Sequence, residues 1–195
     1  SSIIEVSNFI KSEKEKYLVL IQHPVSSEFK LAPKQMKITL EAIEKTKIKT
    51  IVIYPNSDAG SSKMIKILKK YKSHEHFKIV KNLSRLNFVN LLRNATCLVG
   101  NSSCGILEAP ALKIPVVNVG NRQKGRLHAK NVVFVDHKLI DIYKAITKIF
   151  SNKTYRKKLT NCKNPYGNGD SAKKIVDKIA SIRADNKLLI KDITY

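Results

Sequence analysis

Residues 97–109 read CLVGNSSCGILEA, and the character of the chain changes twice within them. An apolar run, Cys97 to Val99, stops at Gly100. Three small polar residues follow, Asn101, Ser102 and Ser103, and apolar residues then resume at helical spacing. A short, continuously apolar run bounded by glycine is the pattern of a strand buried on both faces, which is the strand of a parallel sheet covered by helices. The polar triplet therefore falls where a buried strand turns into a helix. The first turn of a helix leaves backbone N–H groups unpaired, the helix dipole adds positive potential, and two hydroxyls add donors, so the turn suits an anion such as phosphate. Capping alone requires one such residue. Three in a row, with Gly105 allowing close backbone approach, exceed that need.

The same alternation extends in both directions. YLVLIQH (17–23) reads as a buried strand that ends before Pro24. PKQMKITLEAIEKT (33–46) follows as a helix with Pro33 in its first turn. KTIVIYP (49–55), FKIV (77–80), TCLVG (96–100), IPVVNVG (114–120) and NVVFVD (131–136) supply five more strands. Helices are predicted at 61–71, at 85–95 with Ser84 as N-cap, at 102–113, at 138–150 and at 171–182. Short apolar strands alternating with helices predict an α/β, Rossmann-like, doubly wound parallel sheet. In such sheets ligands bind beyond the carboxyl ends of the strands, which singles out the polar residues there.

Composition narrows the function classes. The 195 residues are 43% hydrophobic, enough for a core. No apolar run reaches the ~20 residues that span a bilayer, and the N-terminus, SSIIEVSNFIKSEKEKY, lacks a signal-peptide pattern. It also lacks an initiator Met, as expected of a piece of something longer. Three cysteines without a CxxC pair suit a reducing, cytoplasmic setting and predict neither a disulfide framework nor a zinc site. The net charge of +22 is mostly lysine spread along helices, as in KMIKILKK (63–70) and KTYRKK (153–158). No nucleic-acid-binding motif accompanies it, so it reads as solvated helix faces around a site for a small anion rather than a nucleic-acid surface.

Among single residues, His23 stands at the ligand-facing end of the first strand, whereas His74 and His76 lie in a polar loop and read as solvated. Arg122, just past the fifth strand, is placed to pair with a phosphate. Glu108 lies one to two turns into the helix after the polar triplet, close to the face of Ser102 and Ser103. A carboxylate there suits sugar hydroxyls rather than phosphate. Pro110 shortens that helix. Asn56, in NSDAGS (56–61), belongs to a strand-to-helix turn of ordinary composition.

Taken together, HPV (23–25), YPNSDAGS (54–61), GNSSCGILEAPALKIPVVNVGNRQKGR (100–126) and NPYGNGDSAKKI (164–175) resemble the hydrolysing UDP-N-acetylglucosamine 2-epimerases of sialic-acid pathways. The resemblance runs over about residues 17–182. The non-hydrolysing epimerases carry Asp-Ser-Gly-Gly at the equivalent place, which this chain does not have. The resemblance implies the C-terminal half of a glycosyltransferase-B type two-domain fold: residues 1–16 lead in from the N-terminal domain, 17–182 bind UDP, and 183–195 form a tail. It implies His23 as site histidine, with Asn56, Ser102, Ser103, Glu108 and Arg122 touching UDP and the backbone of Leu83 meeting the uridine. It implies no cofactor and no metal. The partners implied are UDP-N-acetylglucosamine, the protein's own N-terminal domain and further copies in a homo-oligomer. The family's acid/base carboxylates lie in that N-terminal domain. UDP leaves by elimination across C1–C2, and water then adds to give N-acetylmannosamine. A transferase of the same fold, an epimerase of UDP-diacetylbacillosamine, and a non-catalytic basic module are the competing readings.

Overall fold

The computed structural model describes residues 2–10, 12, 15–152, 154–183 and 185. Ser1–Pro165 and Tyr166–Tyr195 form two compact units. In the first, among the described residues, the strands are β1 (Leu18–Ile21), β2 (Thr50–Ile53), β3 (Phe77–Val80), β4 (Cys97–Gly100), β5 (Val116–Val119) and β6 (Val132–Val135). The helices are α1 (Ser2–Phe9), α2 (Ala32–Glu44), α3 (Ser61–Lys70), α4 (Arg85–Asn94), α5 (Cys104–Leu107), α6 (Leu139–Ser151) and α7 (Tyr155–Lys158). The second unit carries α8 (Ser171–Ser181), on which Ile175, Val176 and Ile179 are exposed. The expected tail, 183–195, lies outside the described residues apart from Arg183 and Asp185.

All strand pairs are parallel, in the order β3-β2-β1-β4-β5-β6. The apolar runs explain why. Along β1, Leu18 and Leu20 point into one core with Met36 and Leu40 of α2, Met64 and Leu68 of α3, and Ile142 and Ile146 of α6. Val19 and Ile21 point into a second core with Val6 of α1, Leu91 and Leu92 of α4, and Cys104 of α5. Period-two alternation of an all-apolar strand thus feeds two cores at once. The doubly wound sheet expected from the sequence is the fold.

Chain order reverses between β1 and β4, the central pair, and this is the switch point where such sheets open a crevice at their carboxyl ends. Pairing places Ile21 opposite Gly100. Gly100 has φ 121°, and a Cβ there would meet the Ile21 carbonyl oxygen at 2.1 Å. Only glycine lets the two strand ends run this close, and it brings the segments after them into contact.

The expected helix caps are present: Ser84 accepts from the Asn87 amide, and Pro33 lies in the first turn of α2. The helix expected over 102–113 is four residues long, Cys104–Leu107. Pro110 cannot donate to the ladder. The Ala109 amide turns back to the Cys104 carbonyl at 2.8 Å, and 108–113 continue as turns.

Candidate functional site

The loops after β1, β2, β4 and β5 meet at the switch point, and Asn101 ties them. It is buried, and its side chain grips the His23 backbone twice: the His23 amide donates to Asn101 Oδ1 at 2.7 Å, and Asn101 Nδ2 donates to the His23 carbonyl at 2.9 Å. Its own carbonyl accepts from Gln123 Nε2 at 2.9 Å and from Arg122 Nη1 at 3.3 Å. Arg122 Nη2 also lies 3.9 Å from Asp58 Oδ2, and the same carboxylate oxygen accepts from Asn56 Nδ2 at 2.5 Å. Asn101 was read from the sequence only as part of the polar triplet. Its signal was its place, directly after the glycine and one step past the Ile21–Gly100 pair.

The Asn56 backbone amide donates to His23 Nδ1 at 3.0 Å. A backbone N–H can only donate, so Nδ1 is the acceptor and the ring proton sits on Nε2. Burial, with the Arg122 charge beside it, lowers the His23 pKa from 6.5 to about 4 despite the opposing pull of Asp58. His23 is therefore a neutral imidazole at pH 7, held by its back edge and presenting one N–H.

Ser102 and Ser103 follow Asn101. Ser103 occupies the position before α5 with φ −61° and makes no side-chain cap bond. Ser102 Oγ accepts from the Cys104 amide at 3.4 Å, and its hydroxyl also lies within hydrogen-bonding reach of the Cys104 thiol. Among the described residues the Ser102 and Ser103 amides donate to no other group. With α5 only four residues long, a helix dipole adds little, and the donors on offer here are local amides and hydroxyls. Gly105 was expected to open the backbone to a ligand. It faces the sheet instead: a Cβ there would stand 2.9 Å from Val116 Cγ1 and 3.4 Å from Leu98 Cδ2. Its smallness serves the packing of helix on strand.

Glu108 and Leu83 form a second group on the α4–α5 face. Glu108 lies at the end of α5 rather than inside a longer helix, and its Oε1 accepts from Arg85 Nη1 at the start of α4. Arg85 was absent from the sequence-based candidates, since the two residues lie 23 positions apart. Leu83 turns its side chain into the second core. Its N–H and C=O are bonded to no other residue among those described. The structure thus joins His23, Asn56 and Arg122 by direct or one-residue links, places Ser102 and Ser103 next to them, and gathers Leu83 and Glu108 around Arg85.

Cys97, Cys104 and Cys162 are free and buried; burial pushes the Cys97 thiol up to about 12 and the Cys104 thiol to about 11, so neither is a nucleophile at pH 7. Among the described residues no group of three His, Cys, Asp or Glu side chains converges as a metal site. None of their helices is long and apolar enough to cross a membrane. The arrangement can bind an anion through amide, hydroxyl, guanidinium and neutral imidazole donors, with a carboxylate to one side.

Comparison with known proteins shows the family and the fold. Residues 2–180 match the sequence family described as UDP-N-acetylglucosamine 2-epimerase. The chain is 31% identical over 181 residues to the UDP-N,N'-diacetylbacillosamine 2-epimerase (hydrolyzing) of Legionella pneumophila, covering 93% of this chain and 47% of that protein. It is 34% identical over 145 residues to the UDP-N-acetylglucosamine 2-epimerase of Neisseria meningitidis, covering 74% and 38%. The chain spans about half the length of the curated relatives it matches, or less. The solved UDP-GlcNAc 2-epimerase from Neisseria meningitidis, bound to UDP-GlcNAc, superposes with a TM-score of 0.71 at 19% identity over 92% of this chain and 48% of that one. The Methanocaldococcus jannaschii UDP-GlcNAc 2-epimerase, in complex with UDP-GlcNAc and UDP, gives 0.68 at 23% identity over 90% and 48%. These two likenesses bear on the fold.

Proposed function

The chain belongs to the UDP-N-acetylglucosamine 2-epimerase family, and from that premise we propose that its switch-point crevice holds the UDP of a nucleotide sugar in a hydrolysing 2-epimerase. The observation that carries this reading is the cluster of donors gathered on the loops after β1, β4 and β5: the Ser102 and Ser103 amides, their hydroxyls, Arg122 and the Nε2–H of neutral His23.

Elimination breaks the C1–O bond, its electron pair leaves on the β-phosphate oxygen, and a base takes the C2 proton as the C1–C2 double bond forms. Donors fixed at the leaving oxygen stabilise the charge that develops there. Water then adds to the glycal and N-acetylmannosamine results. His23 suits the donor role, because its Nδ1 is occupied by the Asn56 amide and it has no free lone pair to act as base. Glu108, oriented by Arg85 through one oxygen, keeps the other for the ribose hydroxyls. The unpaired N–H and C=O of Leu83 match the acceptor and donor edge of uracil.

Residues 17–182 are the UDP-binding, C-terminal domain in this reading, with 1–16 as lead-in and 183–195 as tail. The base comes from the N-terminal domain of the whole protein, a cytoplasmic homo-oligomer feeding sialic-acid-type sugars. The 31% identity to a diacetylbacillosamine enzyme favours one alternative substrate, the nucleotide of that sugar. Product analysis tests the proposal. Residues 1–195 alone should leave UDP-N-acetylglucosamine intact, whereas the chain joined to its N-terminal domain should release UDP and N-acetylmannosamine. Conversion to UDP-N-acetylmannosamine would mark a non-hydrolysing enzyme, and turnover of the bacillosamine nucleotide alone would select the other substrate.

A further inference from the structure

Arg122 is placed by its loop as much as by its own bonds, and that loop is held residue by residue. The Gly120 amide donates to the Val135 carbonyl at 2.8 Å. Gly120 also lies against the His137 ring, where a Cβ would stand 2.3 Å from Nε2. Arg122 and Gln123 both reach the Asn101 carbonyl. Asn121, between Gly120 and Arg122, donates through Nδ2 to Glu28 Oε1 at 2.6 Å, across 93 positions of the chain. We propose that Glu28 is a positioning residue that clamps the loop after β5 to the segment after β1 and so fixes Arg122 for the diphosphate; the inference rests on the UDP reading above.

Glu28 is built to hold rather than to bind. It closes a single 3-10 turn, Ser26–Glu28. Its amide donates to the Val25 carbonyl at 2.8 Å, and its carbonyl accepts from the Leu31 amide at 2.8 Å. The backbone beneath the carboxylate is thus fixed, a short step after His23. Its other oxygen, Oε2, accepts from Gln35 Nε2 at 2.7 Å, and Gln35 is buried on α2. One oxygen is oriented by α2 while the other takes the loop. The bonds from Asn121 and Gln35 hold the carboxyl below its usual range, so it is an anion at neutral pH and a strong acceptor. A carboxylate repels a diphosphate, so Glu28 acts through Asn121 and Arg122 and not on the ligand.

The two tied segments already share one link. Asn101 grips the His23 backbone with its side chain and accepts from Arg122 with its carbonyl. A single tie leaves a hinge, and a second tie at Glu28 and Asn121 fixes the angle about it. A guanidinium on a long side chain aims only as well as the backbone that carries it. Supporting hydrogen bonds of this kind keep a binding group within the tolerance its ligand demands.

UDP titrations of the 195-residue chain and its variants test the clamp, and the sign of one effect is diagnostic. Charge alone predicts that Glu28→Gln, which removes an anion, tightens UDP. The clamp predicts about fivefold weaker binding, on the scale of one hydrogen bond, because an amide at position 28 can accept from only one of its two neighbours. Asn121→Ala breaks the same bond from the exposed end and should cost as much. In an Arg122→Gln background, itself weaker than the unmodified chain, Glu28→Gln should cost nothing further, whereas a general loosening of the fold would add its loss in full. The exchange Glu28→Gln with Gln35→Glu should restore most of the affinity, since the new amide can accept from Asn121 and donate to the new carboxylate. Tighter or unchanged UDP binding in Glu28→Gln, a loss that adds to that of Arg122→Gln, or an exchange that rescues nothing would overturn the clamp and leave the UDP site standing. Absence of UDP binding by the unmodified chain would overturn both.

Discussion

His23 is neutral because its ring is desolvated, sits near Arg122 and accepts from a backbone amide. Its pKa in the folded chain is about 4, against 6.5 for an ordinary histidine. The unfolded chain therefore binds more protons between these values, and the stability this group supplies is complete above pH 6.5 and lost as pH falls toward 4. At 1.36 kcal/mol per unit the loss is on the order of 3 kcal/mol. His137, also lowered by burial, acts with the same sign. Denaturation followed across that range should show a flatter pH dependence in His23→Gln, whose side-chain oxygen still accepts from Asn56. A second residue-scale prediction concerns Glu108. Glu108→Gln should weaken UDP binding about tenfold, as loss of a charged hydrogen bond implies, and leave pyrophosphate binding unaltered. Equal effects on both ligands would assign Glu108 to structure alone.

Elements were legible where one stretch carries its own instructions. The strands announced themselves as apolar runs, Ser84 and Pro33 marked helix starts, and Pro110 warned that the helix after β4 is short. What stayed hidden depends on pairs far apart in the chain. The Asn101 grip on His23 spans 78 positions. His74 is exposed, as read, but its Nδ1 lies 2.9 Å from a Glu44 carboxylate oxygen and its ring 4.9 Å from that of Tyr71, partners that its own stretch does not reveal. Gly105 could be read as open to a ligand because its direction is set by the packing of α5 on β4 and β5. The joint between β1 and β4 yields the element-scale prediction. Gly100→Ala places a Cβ on the Ile21 carbonyl at a φ that side chains rarely adopt. Denaturant unfolding should show a loss of at least about 3 kcal/mol, or no folded chain, since strain and steric overlap add.

At the scale of the whole molecule, the switch point draws four loops together, and the family chemistry is proposed to happen where they meet. Of the 37 Lys and Arg residues behind the +22 charge, only Arg122 and Arg85 are among the named residues of the candidate site. Binding through the crevice should therefore depend on named donors and not on bulk charge. Calorimetric titration of UDP into the 195-residue chain and into its Ser102→Ala, Ser103→Ala double variant tests this most directly. Each hydroxyl is worth roughly 1.5–3 kcal/mol when bonded to a charged oxygen. The account predicts saturable binding of one UDP per chain, weakened at least about a hundredfold in the variant but not abolished, because the backbone amides remain. Unchanged UDP affinity in the double variant would contradict the placement of the diphosphate at the end of β4.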